Sequence, residues 1–180
     1  MTMLHTSIPE LILKEPNPIH DAPFALQWFT APYGRETLLL MGNADHEISE
    51  PSLENEQKTI QEFVDLKAEG KQLTWMLHID NTIIGAGWIE LFDNHDTKAP
   101  SVHLMIGAKE YRGKGIGQAT MRRLIEYIKD TIKTDTIYSR HLASNQAVAR
   151  MNHKIGFIND GEPYIDENGL EWQLIQLKVK

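Results

Sequence analysis

Apolar residues recur along the chain in two rhythms, one near 3.6 residues and one of two, and the switches between them mark the elements. Ile60, Phe63, Val64 and Lys67 share a face and predict a helix over 52–67, with Ser52, Asn55 and Glu56 supplying the cap chemistry. Met121, Leu124, Ile125 and Ile128 fall at i, i+3, i+4 and i+7 and predict a helix over 115–130. Val148, Met151 and Ile155 form the stripe of another helix over 145–155. The run Pro16-Asn17-Pro18 opens a further helix near 21–28. Short apolar runs predict strands over 11–14, 74–79, 82–91, 101–107 and 136–142. Asp80-Asn81 makes a tight turn between two of them, and two terminal strands flank Glu167-Asn168-Gly169. Gly85 and Gly87, inside a strand, predict a bulge or a close backbone approach. Residues 30–50 show no clear periodicity and are broken by Pro32-Tyr33-Gly34 and Gly42-Asn43.

This order predicts a mixed α/β (α+β) fold around a largely antiparallel sheet, in one domain spanning 1–180. The segments 101–107, 115–130 and 136–142 form one βαβ unit, so those two strands should run parallel.

Composition narrows the chemistry. The 180 residues contain no cysteine, which excludes disulfides, thiolate metal sites and a cysteine nucleophile. A net charge of −7 argues against a nucleic-acid partner, because phosphate contacts need a basic face. No window approaches the ~20 apolar residues of a membrane span. The start, MTMLHTSIPELILKEP, has no apolar run behind a basic head, so no signal peptide and a cytoplasmic location are expected. Oligomeric state is left open between monomer and homodimer.

The densest chemical signal is Glu110 to Ile128, EYRGKGIGQATMRRLIEYI, where glycines and cations crowd into the link between a strand and a helix. Unpaired amides at such a junction, with the helix dipole behind them, favour an anion. Glycine lets that anion approach the main chain, and Arg112 and Lys114 add full charges. A nucleoside-triphosphate loop would need a hydroxyl residue after Lys114, where Gly115 stands. A dinucleotide fingerprint would lie in the first βα turn, whereas this loop lies in mid-chain. A tight turn without a ligand is the plainest alternative.

Arg112-Gly113-Lys114-Gly115-Ile116-Gly117 matches the [RQ]-x-x-G-x-[GA] signature of the GNAT acyl-CoA N-acyltransferases, and the chain resembles that family over nearly its whole length. A second element, Asn145-Gln146-Ala147-Val148 through Lys154-Ile155-Gly156-Phe157, is similar to the family's N-x-x-[AS]…K-x-G-F run. The resemblance implies the GNAT fold and acetyl-CoA as acyl donor, with no metal. It further implies that Arg112 to Gly117 hold the pyrophosphate. Met105, Ile106 and Gly107 would hold the pantetheine arm and thioester carbonyl between splayed strands, with Asn145 near that arm. Nearest are the aminoglycoside 6′-N-acetyltransferase and siderophore-lysine acyltransferase branches, the latter through His103-Leu104-Met105-Ile106-Gly107. The siderophore branch has a carboxylate where Ser144 stands here.

The implied reaction is direct acetyl transfer to a primary amine, with a small cationic metabolite or aminoglycoside-like acceptor favoured. A protein N-terminus or lysine, or a non-catalytic acyl-CoA sensor, are the alternatives. His103 is the candidate base, since an imidazole titrates near ~6.5 in the absence of perturbation. Glu90 could act through water; Tyr138 and His141 could point toward the cleft but are read as packing or surface residues, and Tyr164 is an outside candidate for protonating the thiolate. Asn152 stands where many members carry a proton-donating tyrosine; it is read as a cofactor or sulfur contact, because an amide releases no proton. Of Trp28, Trp75, Trp88 and Trp172, core packing is the default, and the segment Trp28 to Gly34 is a candidate acceptor wall. Acidic residues at 93–96 and 47–56 could draw in a cation.

Overall fold

A computed structural model describes residues 3–94 and 96–179. In chain order the elements are β1 (Met3–His5), β2 (Leu11–Lys14), α1 (Pro18–Thr30), α2 (Gly34–Leu40), α3 (Leu53–Ala68), β3 (Gln72–Ile79), β4 (Thr82–Glu90), β5 (Ser101–Ile106), α4 (Ile116–Thr131), β6 (Thr136–Leu142), α5 (Gln146–Ile155), β7 (Ile158–Asn159), β8 (Tyr164–Ile165) and β9 (Glu171–Lys178). One sheet runs β1-β2-β3-β4-β5-β6-β9-β7, with β8 beside β9. Every pairing is antiparallel except β5 with β6.

Local chemistry fixes the helix starts. Asn17 caps α1 by accepting from the His20 amide at 3.0 Å, while Asp21 accepts from the Asn17 amide at 2.7 Å. Pro18 follows the cap, where its missing N–H costs nothing. Ser52 caps α3 through the Asn55 amide at 3.1 Å. The predicted stripe of α4 is buried against one sheet face, where Trp75 meets Tyr127 edge-on at 5.0 Å. On the opposite face Trp28 of α1 donates its indole N–H to the Ile83 carbonyl at 3.2 Å. Both expectations for the glycine-bearing strand are met. Leu77 pairs with Gly85 and His78 with Ile83, leaving Ile84 as the extra residue of a bulge. A Cβ on Gly85 would collide with the Met105 carbonyl.

The structure adds elements where the pattern is silent. Residues 34–40 form α2, although Leu38-Leu39-Leu40 is a run without helical period and Leu40 remains 40% exposed. β1 and β7 are three and two residues long, too short to show alternation. α1 begins three residues before the predicted helix because Asn17 is its cap.

Candidate functional site

The site begins where the parallel pair parts. β5 and β6 share one register pair, Ser101 with Tyr138, supported by the Tyr138 amide on the Pro100 carbonyl at 3.0 Å. Ser139 Oγ then donates to the Val102 carbonyl at 2.6 Å. Since the Val102 carbonyl faces β6, strand alternation turns the main-chain groups of Leu104 and Ile106 to the same edge. Met105 points its carbonyl at β4 instead, against Gly85. The expectation that Met105 to Gly107 present their backbone to an acyl arm is therefore corrected for Met105: the main-chain groups of Leu104 and the Ile106 N–H lie on the edge toward β6, while the Ile106 carbonyl accepts from Arg112 Nε. Leu104 was missed, though alternation along the strand contains that signal. Gly107 lies flat against Trp28, whose indole occupies the space a Cβ would need.

Past the strand end the chain makes a short turn at Lys109–Tyr111 and enters the glycine loop. Gly113 and Gly115 hold φ of 75° and 80°, a region that disfavours side chains, and Gly115 caps α4 without any side-chain bond. Ala119 is the first amide of the helix to bond backward, to the Gly115 carbonyl at 3.0 Å. The amides of Ile116, Gly117 and Gln118 thus reach no carbonyl of their own helix, at its positive end. A Cβ on Gly113 or Gly115 would meet nothing within 4 Å, so the loop is open in front. Gly117 serves packing: a Cβ there would come within 3.0 Å of Met151 Sδ on α5.

Arg112 behaves differently from the expectation that its charge faces the anion. Its Nε donates to the Ile106 carbonyl at 2.9 Å, and its Nη2 to Thr37 Oγ1 at 2.8 Å and, more weakly, to the Gly107 carbonyl at 3.4 Å. The guanidinium is spent tying the end of β5 to α2, so the role moves from anion contact to brace. Lys114 rests over the Tyr111 ring with Nζ 5.5 Å from its centroid. Asn145 caps α5 through the Val148 amide at 3.3 Å and reaches the Leu40 carbonyl at 3.4 Å. Asn152 is 3% exposed, and its side-chain oxygen is buried without a hydrogen-bond partner. The cleft wall thus carries one buried acceptor with no partner among the described residues.

Arg112, Gly113, Gly115, Gly117, Asn145 and Asn152 line one cleft of about 610 Å³, whereas Gly107, Lys114 and Ile116 stand outside its lining; the cleft continues past the splayed strands to a second end. There His103, with its side chain 13% exposed, holds Nε2 at 3.0 Å from Ser101 Oγ and 3.8 Å from Glu90 Oε2. Its ring stacks on Trp88 at 5.5 Å and 24°. Glu90 Oε2 accepts from Asn94 Nδ2 at 2.8 Å and Ser101 Oγ at 3.3 Å. Burial drives the His103 pKa down to about 4; the Glu90 carboxylate pulls against that, and the Arg140 guanidinium adds to it. The imidazole is therefore neutral near pH 7 and free to accept a proton. Its conjugate acid is strong, so an accepted proton must be shared with Glu90 or water.

The other candidates separate clearly. Tyr164 lies outside the cleft, accepting from Arg140 Nη1 at 3.0 Å and donating to Asp96 Oδ1 at 3.3 Å; burial raises its pKa. Tyr138 lies beneath the Lys98 ammonium, 5.7 Å from its ring centroid, and His141 is buried with Nδ1 2.9 Å from the Leu142 carbonyl. Trp28 and Trp75 are core, whereas Trp88 and Trp172 line the cleft. The segment Trp28 to Gly34 does not form the wall; Thr37, Leu40 and Met41, a turn further on, do. Of the acidic loop, Asp96 is engaged by Arg140 at 2.9 Å, and His95 lies outside the described residues.

A strand pair that splays beside an amide-rich helix start thus gives the cleft its two walls. Residues 10–158 match the family model described as Acetyltransferase (GNAT) domain, and the chain belongs to that family. A curated relative, the probable spermine N(1)-acetyltransferase of Bacillus subtilis subsp. natto, is 26% identical over 97 residues, 52% of this chain. That match spans 62% of the relative's length. Among solved structures, RimL, a ribosomal L7/L12 alpha-N-protein acetyltransferase in complex with coenzyme A, superposes with a TM-score of 0.80 at 15% identity, covering 99% of this chain and 98% of that one. The microcin C7 self-immunity acetyltransferase MccE, in complex with acetyl-CoA and AMP, gives 0.78 at 15% identity over 94% and 93%. At these identities the two structures establish the shared fold. No helix among the described residues is long and apolar enough to cross a membrane.

Proposed function

We propose that the protein transfers the acetyl group of acetyl-CoA to a primary amine on a small molecule. The observation that carries this reading is the adjacency, in one cleft, of an open amide cradle at Gly113–Gln118 and a neutral His103 backed by Glu90. The donor fits the residues present. The helix-start amides suit its diphosphate, the Leu104 main-chain groups and the Ile106 N–H suit its amide arm, since Arg112 already takes the Ile106 carbonyl, and the orphaned Asn152 oxygen suits an N–H or S–H donor.

Acetyl-CoA supplies an activated thioester: the amine nitrogen bonds to the acetyl carbon, the carbon–sulfur bond breaks, and the thiolate takes up a proton. His103 accepts the proton the nitrogen loses, and Glu90, 3.8 Å away, stabilises the imidazolium. Main-chain N–H groups on the β5 edge donate to the oxygen that gains charge. Asn152 has no proton to give the leaving sulfur, so solvent supplies it.

That same absence favours a second reading, an acyl-CoA binder without turnover. Thiol release from acetyl-CoA, followed across a panel of primary amines, separates the two. Amine-dependent release supports the transferase. A rise in Tm with coenzyme A but no release with any amine supports the binder, and no Tm shift at all sinks both.

A further inference from the structure

We propose that the acceptor carries an oxyanion as well as its amine, and that Arg140 is the specificity residue that receives it. This rests on the acetyl-transfer reading above and concerns the same cleft. Register places Glu90, Ser101, His103 and Arg140 on one face of the sheet: Glu90 pairs with Ser101, and Ser101 with Tyr138, two residues before Arg140. His103 therefore stands between a carboxylate on one side and a guanidinium on the other.

Those two are the charged groups lining the acceptor end of the cleft. Asp96 and Asp166 lie behind that lining. Asp96 takes Arg140 Nη1 at 2.9 Å, and Asp166 takes the Trp172 indole N–H at 2.8 Å. The guanidinium is held over Trp172, with Cζ 4.1 Å from the ring centroid. Its remaining donors, Nε and Nη2, meet no acceptor among the described residues. A side chain locked by stacking, with two parallel donors unused, suits a bidentate oxyanion. A polyamine finds the opposite: one carboxylate, Glu90, for its first ammonium and a fixed positive charge where its second would lie.

The test uses matched acceptors with acetyl-CoA: amino carboxylates of increasing amine-to-carboxylate spacing, their phosphonate counterparts, their decarboxylated amines, and spermidine. The best oxyanion-bearing amine should exceed its decarboxylated partner in kcat/KM by about tenfold or more, as for a lost charge-assisted hydrogen bond. The carboxylate and phosphonate arms distinguish which oxyanion fits. Arg140→Gln should bring that ratio close to one with KM for acetyl-CoA unchanged. Asp96→Asn, which frees the guanidinium from its internal anion, should raise the ratio and decides the matter if Arg140→Gln does not fold. Equal or better turnover of the decarboxylated amines or spermidine overturns the proposal, as does an unchanged ratio in Arg140→Gln or a ratio that fails to rise in Asp96→Asn. Release with no amine at all, while coenzyme A still raises Tm, overturns the transferase reading itself.

Discussion

The two ends of the cleft are built from different materials. At the proposed donor end the groups on offer belong to the main chain: helix-start amides behind Gly113 and Gly115, and the β5 edge at Leu104 and the Ile106 N–H. At the acceptor end they are side chains gathered from separate elements, with Glu90 from β4, His103 from β5, Arg140 from β6 and Trp172 from β9. A backbone site constrains the sequence through φ and close approach, so it leaves a compact motif. A side-chain site is assembled by register across a sheet, and its members lie up to 82 positions apart between Glu90 and Trp172. Substitutions at the first end should act on donor binding, and at the second on turnover and acceptor choice.

The largest expected effect is at the acceptor end. His103→Ala should lower kcat/KM by about a hundredfold or more, the range for a lost proton acceptor, while KM for acetyl-CoA stays unchanged. Because burial, opposed by Glu90 and aided by Arg140, keeps the His103 pKa near 4, the wild-type profile should show no histidine inflection near pH 6.5. The acid limb should instead follow the ionisation of the amine supplied, shifting when amines of different pKa are compared. A His103→Ala enzyme with full kcat/KM over pH 6–9 would refute the assignment.

A smaller effect is expected at the donor end. Gly115 sits at φ 80°, where an L side chain costs ~1–2 kcal/mol. No neighbour lies within 4 Å of a Cβ there, so Gly115→Val can relieve the strain by moving the loop. The cradle then opens, and KM for acetyl-CoA should rise about tenfold or more, with kcat little changed. Unchanged KM would mean that the amides at 115–118 do not hold the donor.

The same contrast explains what was legible beforehand. Strand and helix positions, the parallel pair and the glycine loop follow from local period and from φ-demanding residues. α2 escaped because its apolar run is not its buried face: Leu38 is half-buried and Leu39 and Leu40 are exposed, while the buried positions are Gly34 and Thr37. Arg112 was identified, but its direction was not: a cation beside a glycine loop reads as an anion contact until Thr37 and the Ile106 carbonyl are seen within its reach. His103 was visible from its place in the strand. The Ser101–Glu90–Asn94 chain behind it depends on the pairing of β4 with β5 and on a loop turning back, which alternation does not encode. The Arg140–Trp172 stack, made across β6 and β9, had no local signal at all.

The smallest effects lie away from the cleft and concern stability. His78 is buried at 8% exposure, and its pKa falls to about 4, chiefly from burial, with Lys14 and His20 adding and Asp21 opposing. Between pH 6.5 and 4 the unfolded chain binds this proton and the folded one does not, so stability drops as pH falls through that window. The loss approaches about 2 kcal/mol by pH 5 if the whole shift is expressed. Glu56 runs the other way. Burial lifts its pKa to about 7, so between pH 4.5 and 7 the folded chain keeps a proton the unfolded one has released, and stability falls as pH rises. Urea titrations from pH 4.5 to 8 should therefore show His78→Gln gaining stability relative to wild type at pH 5 and losing that advantage by pH 7. Glu56→Gln should gain relative to wild type at pH 8 but not at pH 4.5, by less than about 1 kcal/mol because the half-buried carboxyl is partly screened. Neither variant should alter KM for acetyl-CoA. Parallel curves for wild type and both variants would mean that neither group titrates differently on folding, and a change in KM would mean that β3, which carries His78, or α3, which carries Glu56, is mechanically coupled to the cradle.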